Sequence, residues 1–384
     1  MRGNQRNRDL VRSRAKSDAY HNSLRCGIPP RALPIMAKQQ VNQPLPDGFQ
    51  LENYRILRVL SSGGFSFVYL AHDENEVPVA IKEYLPAMLA LRTGGGVVPA
   101  VPEANLATFR YGMKCFFEEG RALATLSHPN VVRVLNFFRA NETVYMVMRY
   151  ERGRTLQEHI HARRGSLSES WIRRTFTQLL HGLREVHARK LLHLDIKPGN
   201  IYVRNDGTPL LIDFGAARQT LTAEGTKLPP MYTPGFASPE HYAHREHLGP
   251  WSDMYSVGAA MYACLSADAP QPADQRLVQD KVEPARKGWS GKYSNQLLDT
   301  IDWCMRLDHM ERPQSVLALQ KALLGKQEPG HKGEGPLMDQ LKEMLARFTR
   351  RPQEEARNEP DKPAAADEAG EKPAERPREK VREK

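Results

Sequence analysis

Cysteine is scarce in this chain: 384 residues hold four, Cys26, Cys115, Cys264 and Cys304, and no two form a C-x-x-C pair. That excludes a disulfide scaffold and the common zinc and thiol-redox motifs, and it fits a reducing compartment. No apolar run reaches the roughly 18 residues of a membrane span. The N-terminus lacks the apolar core of a secretory signal. No internal repeat is visible, and aromatic residues make up only 8 %. A single aromatic, Tyr20, lies among the N-terminal arginines, where a single-strand nucleic-acid binder would need several interleaved.

What is present is an ordinary soluble composition, 40 % hydrophobic and 26 % charged, long enough for a sizeable core. The mean hydropathy of −0.58 is low for one folded domain and points to polar tails. The formal charge is +10, and residues 1–49 contribute much of it, with nine Lys/Arg against three Asp/Glu. This basic arm reads as solvated and unstructured; electrostatic contact with nucleic acid or an acidic membrane is the alternative, with no specific nucleic-acid partner implied. Everything recognisable lies after Met36, which leaves open whether residues 1–35 are an extension ahead of the natural start.

From Tyr54 to about Met148 the pattern is strand-like with one long helix. YRILRVL (54–60), FVYLAHD (67–73), VPVAIKEYL (77–85), VVRVLNFF (131–138) and TVYMVMRY (143–150) read as strands, and residues 104–127 as the helix. Beyond Gly153 helices dominate. The segment 166–190 opens with a Ser168 cap and spaces Trp171, Phe176, Leu179, Leu180, Leu183 and Val186 along one face. Brief strands are expected at 191–194, 201–203 and 210–212, and further helices at 252–265, 294–307 and 313–324. After a Gly/Lys/Glu linker, residues 336–350 form an amphipathic helix, expected to dock on the helical part of the chain or to bind a partner. The Pro/Ala/Glu/Lys segment 351–384 reads as disordered.

Four motifs follow one another in order. LSSGGFSFVYLA (60–71) is a glycine-rich strand–turn–strand, weak alone. Val79-Ala80-Ile81-Lys82 puts a lysine on the next strand, HLDIKPGN (193–200) collects Asp195, Lys197 and Asn200 in one loop, and Asp213-Phe214-Gly215 comes 13 residues after Asn200. Together, over about residues 50–325, they resemble the eukaryotic-like (Hanks-type) protein kinases, and the IKEYLP run (81–86) resembles a bacterial subgroup of serine/threonine kinases. The resemblance implies an α+β, bilobal protein-kinase fold: a small β-rich N-lobe with a C helix over about 50–150 and a larger helical C-lobe over about 151–325.

It also implies ATP and Mg²⁺ as cofactors, with Mn²⁺ as an alternative ion, protein substrates, and a cytoplasmic setting; a cognate phosphatase is a further expectation from the family. Phosphoryl transfer needs charge neutralised and two oxygens aligned. Gly63, Gly64, Phe65 and Ser66 would let backbone N–H groups approach phosphates. Lys82 would meet the α/β-phosphates, held by Glu119, with Glu118 as the rival. Asn200 and Asp213 would hold the metal with hard oxygens. Asp195 would accept or orient the substrate proton, and Lys197 would steady the γ-phosphate. Leu60, Val68, Ala80 and Tyr202 would wall the adenine pocket, with Met148 as gatekeeper and Arg149 to Glu151 as hinge. Leu123, Val134, His193 and Phe214 match the apolar column between lobes. Glu240 of Ser238-Pro239-Glu240 would pair with Arg312, Asp253 would anchor the catalytic loop, and Thr233 would lie in the substrate-docking loop.

Three departures from the family pattern stand out. Ser61 and Ser66 replace the first and third loop glycines, which brings strain if either needs a left-handed backbone. Leu194 replaces the arginine that normally receives an activation-loop phosphate, so independence of that phosphorylation is expected. The stretch between Lys82 and Glu119 is long and turn-rich; it is expected beside the C helix, in either a regulatory or a passive role. A binding module that keeps the fold without turnover is the competing function, which the presence of Lys82, Asp195, Asn200 and Asp213 disfavours.

Overall fold

Alternation with period two builds the first layer of the molecule. In the computed structural model, which describes residues 41–214 and 232–325, strands β1 (Gln50–Leu51), β2 (Tyr54–Ser62), β3 (Ser66–His72), β4 (Pro78–Tyr84), β5 (Val134–Ala140) and β6 (Thr143–Arg149) form one antiparallel sheet in the order β1-β2-β3-β4-β6-β5. On β3, buried Phe67, Tyr69 and Ala71 alternate with partly exposed Val68 and Leu70. The register pairs Val68 with Lys82, Lys82 with Met146 and Ala80 with Met148, so these side chains share one face. Phe67 pairs with Glu83, and Glu83 with Tyr145, which puts Glu83 on the opposite face.

That opposite face carries a buried ion pair. The Arg92 and Glu83 side chains are both 0 % exposed, and Arg92 grips both carboxylate oxygens, at 2.5 and 2.7 Å. Tyr69 and Tyr145 donate their hydroxyls to the same carboxylate at 2.6 and 2.8 Å. Burial beside this anion pushes both phenols up from their ordinary pKa. Arg92 Nε donates to the Gln43 carbonyl, the Arg92 N–H to Asn42 Oδ1, and Asn42 Nδ2 to the Ala90 carbonyl. The long stretch after Lys82 is therefore folded on this face, with Leu85, Leu89 and Ala90 in the core and a bridge between Leu91 and Ala100 closing its loop. It meets the C helix through Asn105 Nδ2, which donates to the Leu89 carbonyl. The boundary expected at residue 50 moves too. Residues 42–49 are part of the N-lobe, because Asn42, Gln43 and Leu45 satisfy polar groups of Arg92 and Tyr69. The rest of the arm, the helix expected at 336–350 and the segment 351–384 lie outside the described residues.

Helix α1 (Glu103–Ala124) packs on the Lys82 face, burying Phe109, Gly112, Phe116, Glu119, Gly120 and Leu123 at helical spacing. Tyr84 sets its distance from the sheet: a Cβ on Gly112 would fall 1.8 Å from the Tyr84 hydroxyl oxygen. The helix stops three residues short of the expected 127, where Thr125 turns its hydroxyl back to the Ala122 carbonyl ahead of Pro129. β5 starts at Val134 rather than 131, since the Val132 N–H donates instead to the Leu211 carbonyl of the second lobe.

The second lobe is helical: α2 (Leu156–Ala162), α3 (Glu169–Ala188), α4 (Pro239–Tyr242), α5 (Pro250–Ser266), α6 (Ala273–Val278), α7 (Ala285–Gly288), α8 (Asn295–Cys304) and α9 (Val316–Leu324). Ser168 caps α3 as expected, accepting from the Trp171 N–H. α5 is buried all round and forms the lobe's axis. A small antiparallel sheet, β7 (Gly153–Thr155), β8 (Ile201–Arg204) and β9 (Pro209–Leu211), flanks the cleft. The strand expected at 191–194 does not form. Leu194 has φ 60°, which no strand accepts, and the N–H groups of His193 and Leu194 go to the Asp253 carboxylate. Arg312 grips Glu240 with bonds of 2.7 and 3.0 Å, and Ser252 adds a third. Burial pushes the Glu240 pKa up, but Arg312 outweighs it and the net shift is down.

Removing one partner of a buried pair strands the other charge. Arg92→Ala is expected to lose about 3–5 kcal/mol of stability, measured by urea unfolding. A loss under about 1 kcal/mol, the scale of an exposed pair, would contradict this account of the N-lobe.

Candidate active site

The cleft opens between the Lys82 face of the sheet and the loops that follow α3. Its lining joins Ser61 to Ser66 of the glycine turn with Lys197, Gly199, Asp213, Tyr232 and Thr233, around about 450 Å³. Ser61 lies one residue before the end of β2, opposite Val68, and Ser66 begins β3. Neither has a left-handed backbone, so the expected strain does not arise. The Gly63 N–H donates to the Ser66 carbonyl at 2.9 Å and closes the turn.

Deeper in, Val68, Ala80 and Met148 lie on the face that carries Lys82, and Leu60 sits partly buried on β2. Tyr202 on β8 donates its hydroxyl to the Glu151 carbonyl at 3.3 Å, while Arg204 pairs with the Glu151 carboxylate. Arg149 ends β6 with its side chain exposed. The residues expected to wall the adenine pocket thus come from β2, β3, β4 and β6 of the sheet and from β8 of the second lobe. Leu123, Val134, His193 and Phe214 are all buried, with the His193 and Phe214 rings 4.3 Å apart.

The catalytic loop hangs from one carboxylate. Asp253, fully buried, accepts from the N–H groups of His193 (2.9 Å) and Leu194 (2.8 Å) and from His187 Nε2 (2.7 Å). Burial alone would raise its pKa, but these donors hold it below the ordinary carboxylate range. His193 Nε2 faces the Ile212 carbonyl, which can only accept, so that nitrogen carries the proton. Its Nδ1 then accepts the Asp195 N–H at 3.3 Å. Burial keeps this imidazole neutral by lowering its pKa.

Asp195 sits at the end of this chain of bonds. Its Oδ2 accepts from Lys197 Nζ and Asn200 Nδ2, both at 2.9 Å, and its Oδ1 from the Thr233 hydroxyl at 3.0 Å. Lys197 Nζ also donates to Thr233 Oγ1 at 2.7 Å. The carboxylate is thereby locked in orientation beside the cleft. Asn200 spends its amide N–H groups on Asp195 and on the Asp213 carbonyl, which leaves its amide oxygen as the available donor.

Lys82 differs from the expected pairing. Its side chain is 5 % exposed, and its ion pair goes to Asp213 Oδ1 at 2.8 Å rather than to Glu119. A buried ammonium needs a counter-charge. Asp213, with φ 58°, brings its carboxylate to that position. Glu119 lies on the buried face of α1, whereas the rival Glu118 is half exposed and pairs with Arg121. Gly215 and the threonines at 220, 222 and 226 lie outside the described residues.

The donor set suits a hard cation. Asp213 supplies carboxylate oxygens and Asn200 an amide oxygen, and Mg²⁺ commonly takes one or two protein ligands together with substrate phosphates. No cluster of three or more His, Cys, Asp or Glu able to hold a metal occurs among the described residues.

Gly199 and Tyr232 line the cleft although no sequence signal marked them. Thr233 was legible as a substrate-loop threonine, but its bond to Asp195 was not. His241, beneath the catalytic loop, had no signal at all.

Comparison with known proteins agrees with this geometry. The protein kinase domain model matches residues 54–324. Serine/threonine-protein kinase C of Synechocystis is 30 % identical over 297 residues, covering 74 % of this chain and 52 % of its own length. Serine/threonine-protein kinase PknA of Nostoc is 31 % identical over 57 % of this chain and 38 % of its own. The chain thus spans about half or less of these curated relatives. The solved structure titled PpkA-294 apo form is 32 % identical, with a TM-score of 0.66, covering 73 % of this chain and 99 % of that one. The kinase domain of Mycobacterium tuberculosis PknI, 20 % identical with a TM-score of 0.55, shares the fold. The chain belongs to the protein kinase family, in its eukaryotic-like (Hanks-type) bacterial branch of ATP-dependent serine/threonine kinases.

Thr233 bridges Lys197 and Asp195, so Thr233→Ala should lower kcat by about 10–100-fold, the worth of one hydrogen bond to a charged group. Thr233→Ser should retain most activity. Steady-state kinetics on a peptide substrate would show it; equal rates for both variants would contradict the bridging role.

Proposed function

We propose that this chain transfers the γ-phosphate of ATP to serine and threonine hydroxyls of protein substrates. The observation that carries the reading is the Asp195 carboxylate, fixed by Lys197, Asn200 and Thr233 beside a cleft that Lys197, Thr233 and Asp213 line, with Lys82 paired to that Asp213. Asp195 orients the attacking hydroxyl and takes its proton as the bond to phosphorus forms. Lys197, already beside Asp195, neutralises charge on the transferred group. Lys82 meets the α/β-phosphates; for this it exchanges Asp213 for phosphate oxygens, with Glu119, on the buried face of α1, as the counter-charge. Asn200 and Asp213 would hold Mg²⁺ or Mn²⁺, which would supply positive charge against the phosphate oxygens. The backbone of Gly63 to Ser66 covers the phosphates.

The setting we propose is bacterial signalling in the cytoplasm, with a separate phosphatase reversing the modification. Buried Cys264 and Cys304, whose pKa values burial pushes up, are inert thiols consistent with a reducing compartment. Activity does not depend on activation-loop phosphorylation in this reading. The support is Leu194: at the position where an arginine would receive the phosphate, this side chain is apolar and buried.

Intact-mass and phosphopeptide mapping after incubation with Mg-ATP tests the reading, with a generic basic protein as added substrate. Wild type should gain phosphate on serine and threonine, and Asp195→Asn should be slower by about 10²–10⁴-fold. Nucleotide binding without phosphate in either protein would favour a binding module. Alanine at Thr220, Thr222 and Thr226 together should leave the rate unchanged; a large loss would remove the claim of independence.

A further inference from the structure

His241, on α4, is 1 % exposed and touches none of the groups assigned to substrate or nucleotide. Its Nε2 lies 3.3 Å from the Leu194 carbonyl. A carbonyl only accepts, so Nε2 carries the proton, and Nδ1 must accept from the Ser238 hydroxyl 2.7 Å away. Burial lowers the pKa of this imidazole and keeps it neutral.

The Leu194 carbonyl belongs to the same peptide group as the Asp195 N–H. That N–H is held by His193 Nδ1. Both polar atoms of the Leu194–Asp195 peptide are thus fastened by neutral imidazoles, one from the catalytic loop and one from α4. The peptide group is planar, so fixing its oxygen and its nitrogen fixes the plane from which the Asp195 side chain departs. The constraint is needed here. Leu194 has φ 60°, a left-handed conformation that is unfavourable for a residue with a Cβ and relaxes unless it is held. α4 is itself immobilised, because Glu240 next to His241 is gripped by Arg312 and Ser252.

We propose that His241 is a positioning residue for phosphoryl transfer: it orients the Leu194–Asp195 peptide and ties the catalytic loop to the Glu240–Arg312 anchor. The inference rests on the kinase reading and deepens it. It supplies what the missing arginine at 194 would otherwise provide, a link between the catalytic loop and the segment after the activation loop, and it does so without a phosphate.

The test compares full-length wild type, His241→Leu and His241→Gln for kcat and ATP KM on a peptide, nucleotide Kd, and Tm. His241→Leu should lower kcat by about 10²-fold, the effect of misplacing a catalytic group by about 1 Å. ATP KM and nucleotide Kd should change little, since no nucleotide contact is altered. The glutamine amide can donate to the same carbonyl, so His241→Gln should recover most of kcat. Ser238→Ala, which frees the ring to change tautomer, should fall between them. Wild-type kcat in His241→Leu overturns the proposal, as does a kcat that merely follows Tm across all three variants with no rescue by glutamine. A wild type that binds nucleotide but transfers nothing removes the kinase reading and this inference together; an active wild type with an equally active His241→Leu removes this inference alone.

Discussion

The carboxylate of Asp253 is the constraint on which the catalytic geometry depends. One buried anion at the start of α5 binds two consecutive backbone N–H groups and a histidine, and those two residues lead directly into Asp195. A left-handed leucine is unfavourable alone, and a buried aspartate is unfavourable alone. Each satisfies the other: the αL turn at Leu194 points adjacent N–H groups at one acceptor, and the acceptor holds the turn. The core of the helical lobe thus determines where the buried Asp195 carboxylate stands beside the cleft. Asp195 then collects Lys197, Asn200 and Thr233, so orientation passes from core to cleft through hydrogen bonds of ordinary length.

The N-lobe repeats the logic with adjacent residues on one strand. Lys82 and Glu83 point to opposite faces of β4, and each finds a counter-charge: Lys82 across the cleft at Asp213, Glu83 inside the sheet's far side at Arg92. The two charges could not share a face without neutralising each other. Period-two geometry separates them, so one serves the site while its neighbour holds the stretch that follows.

Much of this was legible in the sequence, for identifiable reasons. Backbone-defined features were readable: the alternation of β3, the serine cap of α3, and the spacing that puts Asp195, Lys197 and Asn200 in one loop. The order of the motifs identified the family. What failed involved partners distant in sequence. Residues 191–194 look like a strand because strands and buried loops share apolar runs, and nothing local announces that Asp253 will take their N–H groups. Arg92 sits among turn residues, where an arginine is normally solvated; only the fold brings it to Glu83. The Lys82–Asp213 pair was not readable because two carboxylates, Glu119 and Asp213, both fit a lysine on that strand, and sequence order does not rank them. His241 was invisible since its role is defined by a backbone oxygen, which leaves no residue-type signature.

The Glu83–Arg92 pair also carries an evolutionary consequence. Neither residue can change first without leaving a buried charge uncompensated, so the pair is a valley that single substitutions cross poorly. The acid after the strand lysine and the stretch that supplies the arginine should therefore be inherited or lost as a unit. In this chain Glu83 thus commits the strand to the folded stretch downstream and to the short N-terminal lead-in at 42–45 that completes its pairing.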